Sequence, residues 1–198
     1  MKALDESKIK VIDDLIAKFG KDIVLSKDRS FTPTTQELRS IYDILNHNLF
    51  NNELKPIPVT YCNSKNIADR INIYNAVSNN DEPHINTCYG RGIHLAASKD
   101  ITDNTGKVIS YDSFDNIIML NSDYLINNIF IFIVACLCHE MIHYCDSFSD
   151  ELKTKFFKSN VDSTFKYDSH EDAIFKNKMK LANENGINVV TQLSPDDK

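Results

Sequence analysis

Apolar residues recur at helical spacing in the first fifty positions. Ile9, Ile12, Leu15, Ile16 and Phe19 share one face and Gly20 follows as a stop, so residues 5–19 read as an amphipathic helix that packs on the domain or pairs with a partner. Thr34 and Glu37 spell a capping box just after Pro33. Leu38, Ile41, Tyr42, Leu45 and Leu49 continue one stripe from it, which predicts a helix over 35–50. Asn51, Asn52 and Pro56 break that pattern, and Ile57 to Tyr61 has the β-branched content of a strand. Residues 63–110 are rich in Asn, Asp, Gly and Ser. They carry short candidate strands at Ile71–Tyr74, Thr87–Tyr89 and Ile93–Ala96 and a turn at Asn104-Thr105-Gly106. A strand follows over Asp115–Asn121, with Ile117 to Leu120 as its apolar run.

An uninterrupted apolar run, Ile129 to Cys138, then opens a helix predicted over 127–147. Ser147 to Ser169 is polar and mixed, with a short helix through Leu152 and Phe156. His170 to Glu184 reads as helix, stopped by Asn185-Gly186, and Gln192 to Lys198 reads as a flexible tail.

The apolar run leads directly into His139-Glu140-Met141-Ile142-His143, an HExxH sequence. Residues four apart lie on one helical face, so both imidazoles can meet one metal ion while Glu140 leans to the same side. Two neutral imidazoles suit Zn²⁺, and a third protein ligand leaves a fourth position in which the pKa of a water falls to about 7. Glu140 is then the expected general base. Two histidines and a glutamate at the end of an otherwise apolar helix would also be costly to bury unless something pairs them.

Composition narrows the class. A chain of 198 residues, 42% hydrophobic and 25% charged, fits one globular domain. The net charge of −6 does not advertise nonspecific DNA affinity, and the lysines at 153, 155 and 158 and at 176, 178 and 180 read as solvated helix faces, with DNA contact as the alternative. No apolar stretch approaches the roughly 20 residues of a bilayer span, so no membrane partner is expected. Met1 to Lys10 has no apolar h-region, so no signal peptide is expected. The five cysteines, Cys62, Cys88, Cys136, Cys138 and Cys145, form no CxxC pair and suit a reducing compartment. The expected location is the cytoplasm, that of the host if the source is viral. Cys136, Cys138 and Cys145 flank the motif, and core packing is the preferred reading of Cys138 over zinc ligation.

Downstream of His143 one histidine remains, His170, which is the expected third ligand, with Glu171 beside it as the alternative. The chain here resembles the SprT-like (Spartan-type) zinc metallopeptidase family. The resemblance runs from Asn46-His47-Asn48-Leu49-Phe50 and the following Glu53 to Val59, through Tyr89-Gly90-Arg91 and Ile118-Met119-Leu120-Asn121, to the HExxH and then Ser169-His170-Glu171 with Phe175-Lys176 and Met179. It covers residues 34–190. Glu171 stands where the family usually has Gly, and this sequence carries no Cys-rich zinc ribbon after the core.

The resemblance implies a compact α+β zincin-like domain, a small mixed sheet packed on helices with a central HExxH helix. The expected organisation is an N-terminal helical extension over 1–30, the metallopeptidase domain over 31–191 and the tail over 192–198. One zinc per chain, held by His139, His143 and His170, would serve hydrolysis of a protein or peptide substrate with Glu140 as base. Arg91, Tyr89 and Tyr144 are candidate oxyanion stabilisers. Two other readings stand beside this one: a zinc-stabilised binding or structural module without activity, and a DNA-associated protease of the crosslink-repair type.

Overall fold

Local capping signals set the helix ends. The computed structural model describes residues 10–77, 92–102, 104–105, 108–146, 170 and 173–190. Helix α1 (Lys10–Phe19) buries Val11, Leu15 and Phe19 and stops at Gly20, whose φ of 89° is open to glycine and strained for other residues. A single turn, α2 (Lys21–Val24), follows. Helix α3 (Thr35–Leu49) begins at the capping box expected from the sequence: the Glu37 N–H donates to Thr34 Oγ1 at 3.2 Å and the Thr34 N–H to Glu37 Oε2 at 2.7 Å. It ends at Asn51 and Asn52, with φ of 53° and 60°, a left-handed conformation that asparagine tolerates. Near that end the buried Asn46 side chain donates to the Leu54 carbonyl at 2.8 Å and accepts the Leu54 N–H at 3.2 Å. One amide thus closes the turn leading into strand β1 (Val59–Cys62).

The next segment departs from expectation. Ile71–Tyr74, expected as a strand, lies within helix α4 (Ser64–Val77). Asn63 Oδ1 accepts the Asn66 N–H at 2.8 Å at its start, and Ile67 and Ile71, one helical turn apart, pack on the same cluster. Of the isoleucines that suggested a strand, Ile71 joins Ile67 on the inner stripe of this helix and Ile73 faces outward, 51% exposed. Strands β2 (Gly92–Thr102) and β3 (Val108–Asn121) are both longer than the short segments expected there, and they flank the turn at Asn104–Thr105. The candidate strand Thr87–Tyr89, the short helix through Leu152 and Phe156 and the tail lie outside the described residues.

The three strands form a mixed sheet in the order β1-β3-β2. Val59 pairs with Ile118 in the parallel β1–β3 ladder, and Gly92 pairs with Leu120 in the antiparallel β2–β3 ladder. Alternation along β3 then separates two apolar clusters. Ile118 and Leu120 join the main core, and Met119 joins Ile67 and Ile93 in a second one. The architecture is α+β.

A turn of helix, α5 (Ser122–Leu125), leads from β3 into α6 (Phe130–Asp146), and the last helix is α7 (Ala173–Glu184). In α6, Ile133, Val134, Leu137, Cys138, Met141 and Ile142 are all buried, because the helix is packed by α3, α7, β2 and β3 together. Helix α1 packs into the same core, through Leu15 and Phe19, and the Phe19 ring lies 4.9 Å from that of Phe130. No described helix is long and apolar enough to cross a membrane.

Replacing Asn46 with Ala strands a buried N–H and a buried carbonyl at Leu54. We expect unfolding in urea to show a loss of about 2–4 kcal/mol. A loss below about 0.5 kcal/mol would mean that the turn is held by other groups.

Candidate metal centre

The end of α6 carries Glu140 into the interior, only 6% exposed, between the half-buried His139 and His143. His143 Nε2 lies 3.0 Å from His139 Nε2. His170, just ahead of α7, brings its own Nε2 to 3.2 Å from the same atom, so one ligand nitrogen from each histidine lies in a single cluster within 4.8 Å. These separations approach the edge of a tetrahedron around zinc, about 3.3–3.4 Å for Zn–N bonds of about 2.0–2.1 Å. The residues fit a tetrahedral cation with one position open. Among the described residues no other group of three such side chains converges in this way. Cys138, in contrast, is fully buried in the main core with its thiol pushed up to about 12 by desolvation, as the core-packing reading expects.

Hydrogen bonding favours the ligand form of His139. Its Nδ1–H donates to the Val190 carbonyl at 3.1 Å, which assigns the lone pair to Nε2, the atom facing the other two histidines. Desolvation also keeps the His139 and His143 rings neutral. It lowers the His139 pKa to about 4, helped by the nearby His170, and it lowers His143 well below the usual value, helped by His139, His170 and His94. Neutral imidazole is the form that binds a metal. The buried Phe175 ring packs on all three, at 5.2, 4.8 and 5.0 Å from His139, His143 and His170.

Glu140 points toward the sheet. Burial pushes its pKa up to about 8, opposed by a hydrogen bond from the His94 backbone N–H. Gly92, at the start of β2, makes room for it, since a Cβ there would lie 3.1 Å from Glu140 Cγ, Glu140 Oε1 and Leu120 Cδ2. Any side chain at position 92 would displace the carboxyl. His94, two residues on and so on the same face, bonds through Nε2 to Asn116 Oδ1 at 2.9 Å and packs its ring 5.3 Å from Tyr144. Sequence reading placed position 94 in a strand but missed its tie to Glu140; the one available signal was the two-residue period shared with Gly92.

Tyr144, one of the three candidate oxyanion stabilisers, is buried, 1% exposed, against His94. Arg91, Tyr89 and the alternative ligand Glu171 lie outside the described residues. On α7, Lys178 lies over the ring of the buried Phe50 at the end of α3, 5.3 Å from its centroid, and Lys180 pairs with Glu184 at 4.0 Å within the helix. No protein-family model and no curated protein matches the chain.

The shifted groups give the metal-free protein a distinctive pH profile. His94, His139 and His143 take up protons more readily unfolded, so their contribution is complete above the ordinary value of 6.5 and is lost as pH falls toward about 4. Glu140 acts in the opposite sense: its contribution is complete below 4.5 and is lost as pH rises to about 8. Three imidazoles outweigh one carboxyl on the acid side, which places maximal stability near pH 6.5. Urea unfolding in chelator from pH 4 to 9 checks this, and Glu140→Gln should flatten the alkaline limb. An alkaline limb unchanged in that variant would assign it to another group.

Proposed function

We propose that this chain is a zinc-dependent metallopeptidase of the SprT-like type, hydrolysing peptide bonds in a protein or peptide substrate. The observation that carries the reading is the convergence of His139 and His143, on the helix that also buries Glu140, with His170 from ahead of α7, the Nε2 atoms of His143 and His170 lying 3.0 and 3.2 Å from that of His139. His139, His143 and His170 are the proposed ligands. Zinc bound there would supply a Lewis acid that polarises the scissile carbonyl and acidifies a water.

The protein's own groups divide the remaining work. Val190 orients His139 through its carbonyl, and Phe175 excludes solvent from the inner side of the three rings. The Glu140 carboxylate takes a proton from the attacking water and passes it to the leaving amine nitrogen, so no covalent intermediate with the protein is needed. A cation beside it draws its raised pKa back down toward the ionised form that a base requires. Among the described residues β2 is paired on one side only, by β3. An extended substrate adding to its other edge would run past the His94 N–H and Glu140, which suits recognition through main-chain hydrogen bonds.

Metal analysis and a peptide-library digest test this directly. Wild type is expected to hold about one zinc per chain, lost in His139→Ala and His170→Ala and kept in Glu171→Gln. Glu140→Gln should keep the zinc and lower kcat by about 10²–10⁴-fold. Zinc lost from Glu171→Gln and kept by His170→Ala would move the third ligand to the neighbouring carboxylate. A zinc-loaded wild type that cleaves nothing the Gln variant spares would make a zinc-stabilised binding module the better account. Cleavage that requires DNA and fades with salt would specify the crosslink-repair type.

A further inference from the structure

We infer that Asn183 is a positioning residue for the metal centre, holding the chain segment after α7 so that the Val190 carbonyl fixes His139 with its Nε2 lone pair toward the metal. The carbonyl belongs to a stretch outside the sheet, whose backbone groups need partners of another kind. Helix α7 closes with Gly186 at φ 85°, with the Gly186 N–H bonded to Asn183 O at 3.1 Å and the Ile187 N–H to Ala182 O at 3.0 Å, a Schellman arrangement that turns the chain back. Ile187 and Val189 then enter the main core, 0% and 2% exposed, while Val190 keeps its side chain outside at 43%.

Asn183 secures this segment from the helix side. Its Oδ1 accepts the Val189 N–H at 2.6 Å, a proton shared with the Ile187 carbonyl at 2.8 Å, and its Nδ2 donates to the Val189 carbonyl at 3.2 Å. The side-chain amide thus takes the place of a neighbouring strand, with one donor and one acceptor against the same residue. The next carbonyl along the chain is the one that accepts from His139 Nδ1 at 3.1 Å. Partners that orient a ligating imidazole in this way are worth about 10–100-fold in metal affinity. On the proposed reading of His139 as a zinc ligand, the effect runs both ways: zinc that holds His139 must also hold the segment, by the same factor.

The test uses the whole 198-residue chain as wild type, Asn183→Ala and Ile41→Val, the last a core truncation in α3 that lowers stability and leaves the Asn183 hydrogen bonds in place. Zinc affinity is measured by chelator competition, and the His139 Nδ1–H and Val189 N–H are followed by ¹⁵N NMR with and without zinc. We expect about tenfold weaker zinc binding in Asn183→Ala, with faster solvent exchange of the His139 Nδ1–H, and unchanged binding in Ile41→Val. Zinc should slow exchange of the Val189 N–H in wild type. If Asn183→Ala binds zinc as wild type does with its Nδ1–H still protected, the positioning role is overturned while the metal centre stands. If Ile41→Val weakens zinc equally, general destabilisation replaces positioning. A folded wild type that takes up no zinc overturns both readings.

Discussion

Desolvation at the end of α6 is the constraint around which the molecule is arranged. A helix lined by Ile133, Val134, Leu137, Met141 and Ile142 runs through the core, carries a carboxyl into it and sets two half-buried imidazoles at its edge. An unpaired polar group in such a place is strongly unfavourable, so each surrounding element contributes a partner or a space. Strand β2 offers the His94 N–H to Glu140 and leaves position 92 without a side chain. The segment after α7 offers a carbonyl to His139, and the residue ahead of that helix offers a third imidazole. The same burial that makes the groups expensive keeps the His139 and His143 rings neutral and raises the Glu140 pKa, so that the folding constraint and the protonation states share one cause.

Both ends of the described chain support that helix. Helix α1 buries Leu15 and Phe19 in the main core, with Phe19 against Phe130 at the start of α6, and α7 and its following segment cover the other end. The two meet where Gly186 turns beneath Ile12, whose Cγ1 would lie 3.2 Å from a Cβ at that position. Glycine there serves two needs, a left-handed φ and a close approach. The three-histidine cluster, which could hold a metal ion, therefore depends on packing from residues at both ends of the described chain, well beyond the elements that carry its side chains.

Much of the scaffold was legible because its signals are local. The α3 capping box, the Gly20 and Gly186 stops and the asparagine break after α3 each act within a few residues, and each is found where the sequence places it. Ile71 to Tyr74 misled because β-branched content suggests a strand, whereas the Asn63 cap and the Ile67/Ile71 spacing, with a core cluster to cover, settle on helix. Cys138 was rightly read as core, since the residues three and four away along α6, Val134, Ala135, Met141 and Ile142, are all buried and apolar.

The sequence by itself determined that His139, Glu140 and His143 share one end of a buried helix, because a helical period is a property of adjacent residues and needs no distant partner. It also narrowed the third ligand to His170 or its neighbour, by the scarcity of histidines downstream. Only the tertiary structure decided that His170 reaches the other two, that the Val190 carbonyl sets the His139 tautomer and that a backbone N–H from β2 meets Glu140. All three join residues tens of positions apart, and the last two do so through backbone groups every residue possesses. No residue type marks them, and they exist only once the sheet, α6 and α7 have packed around a common core.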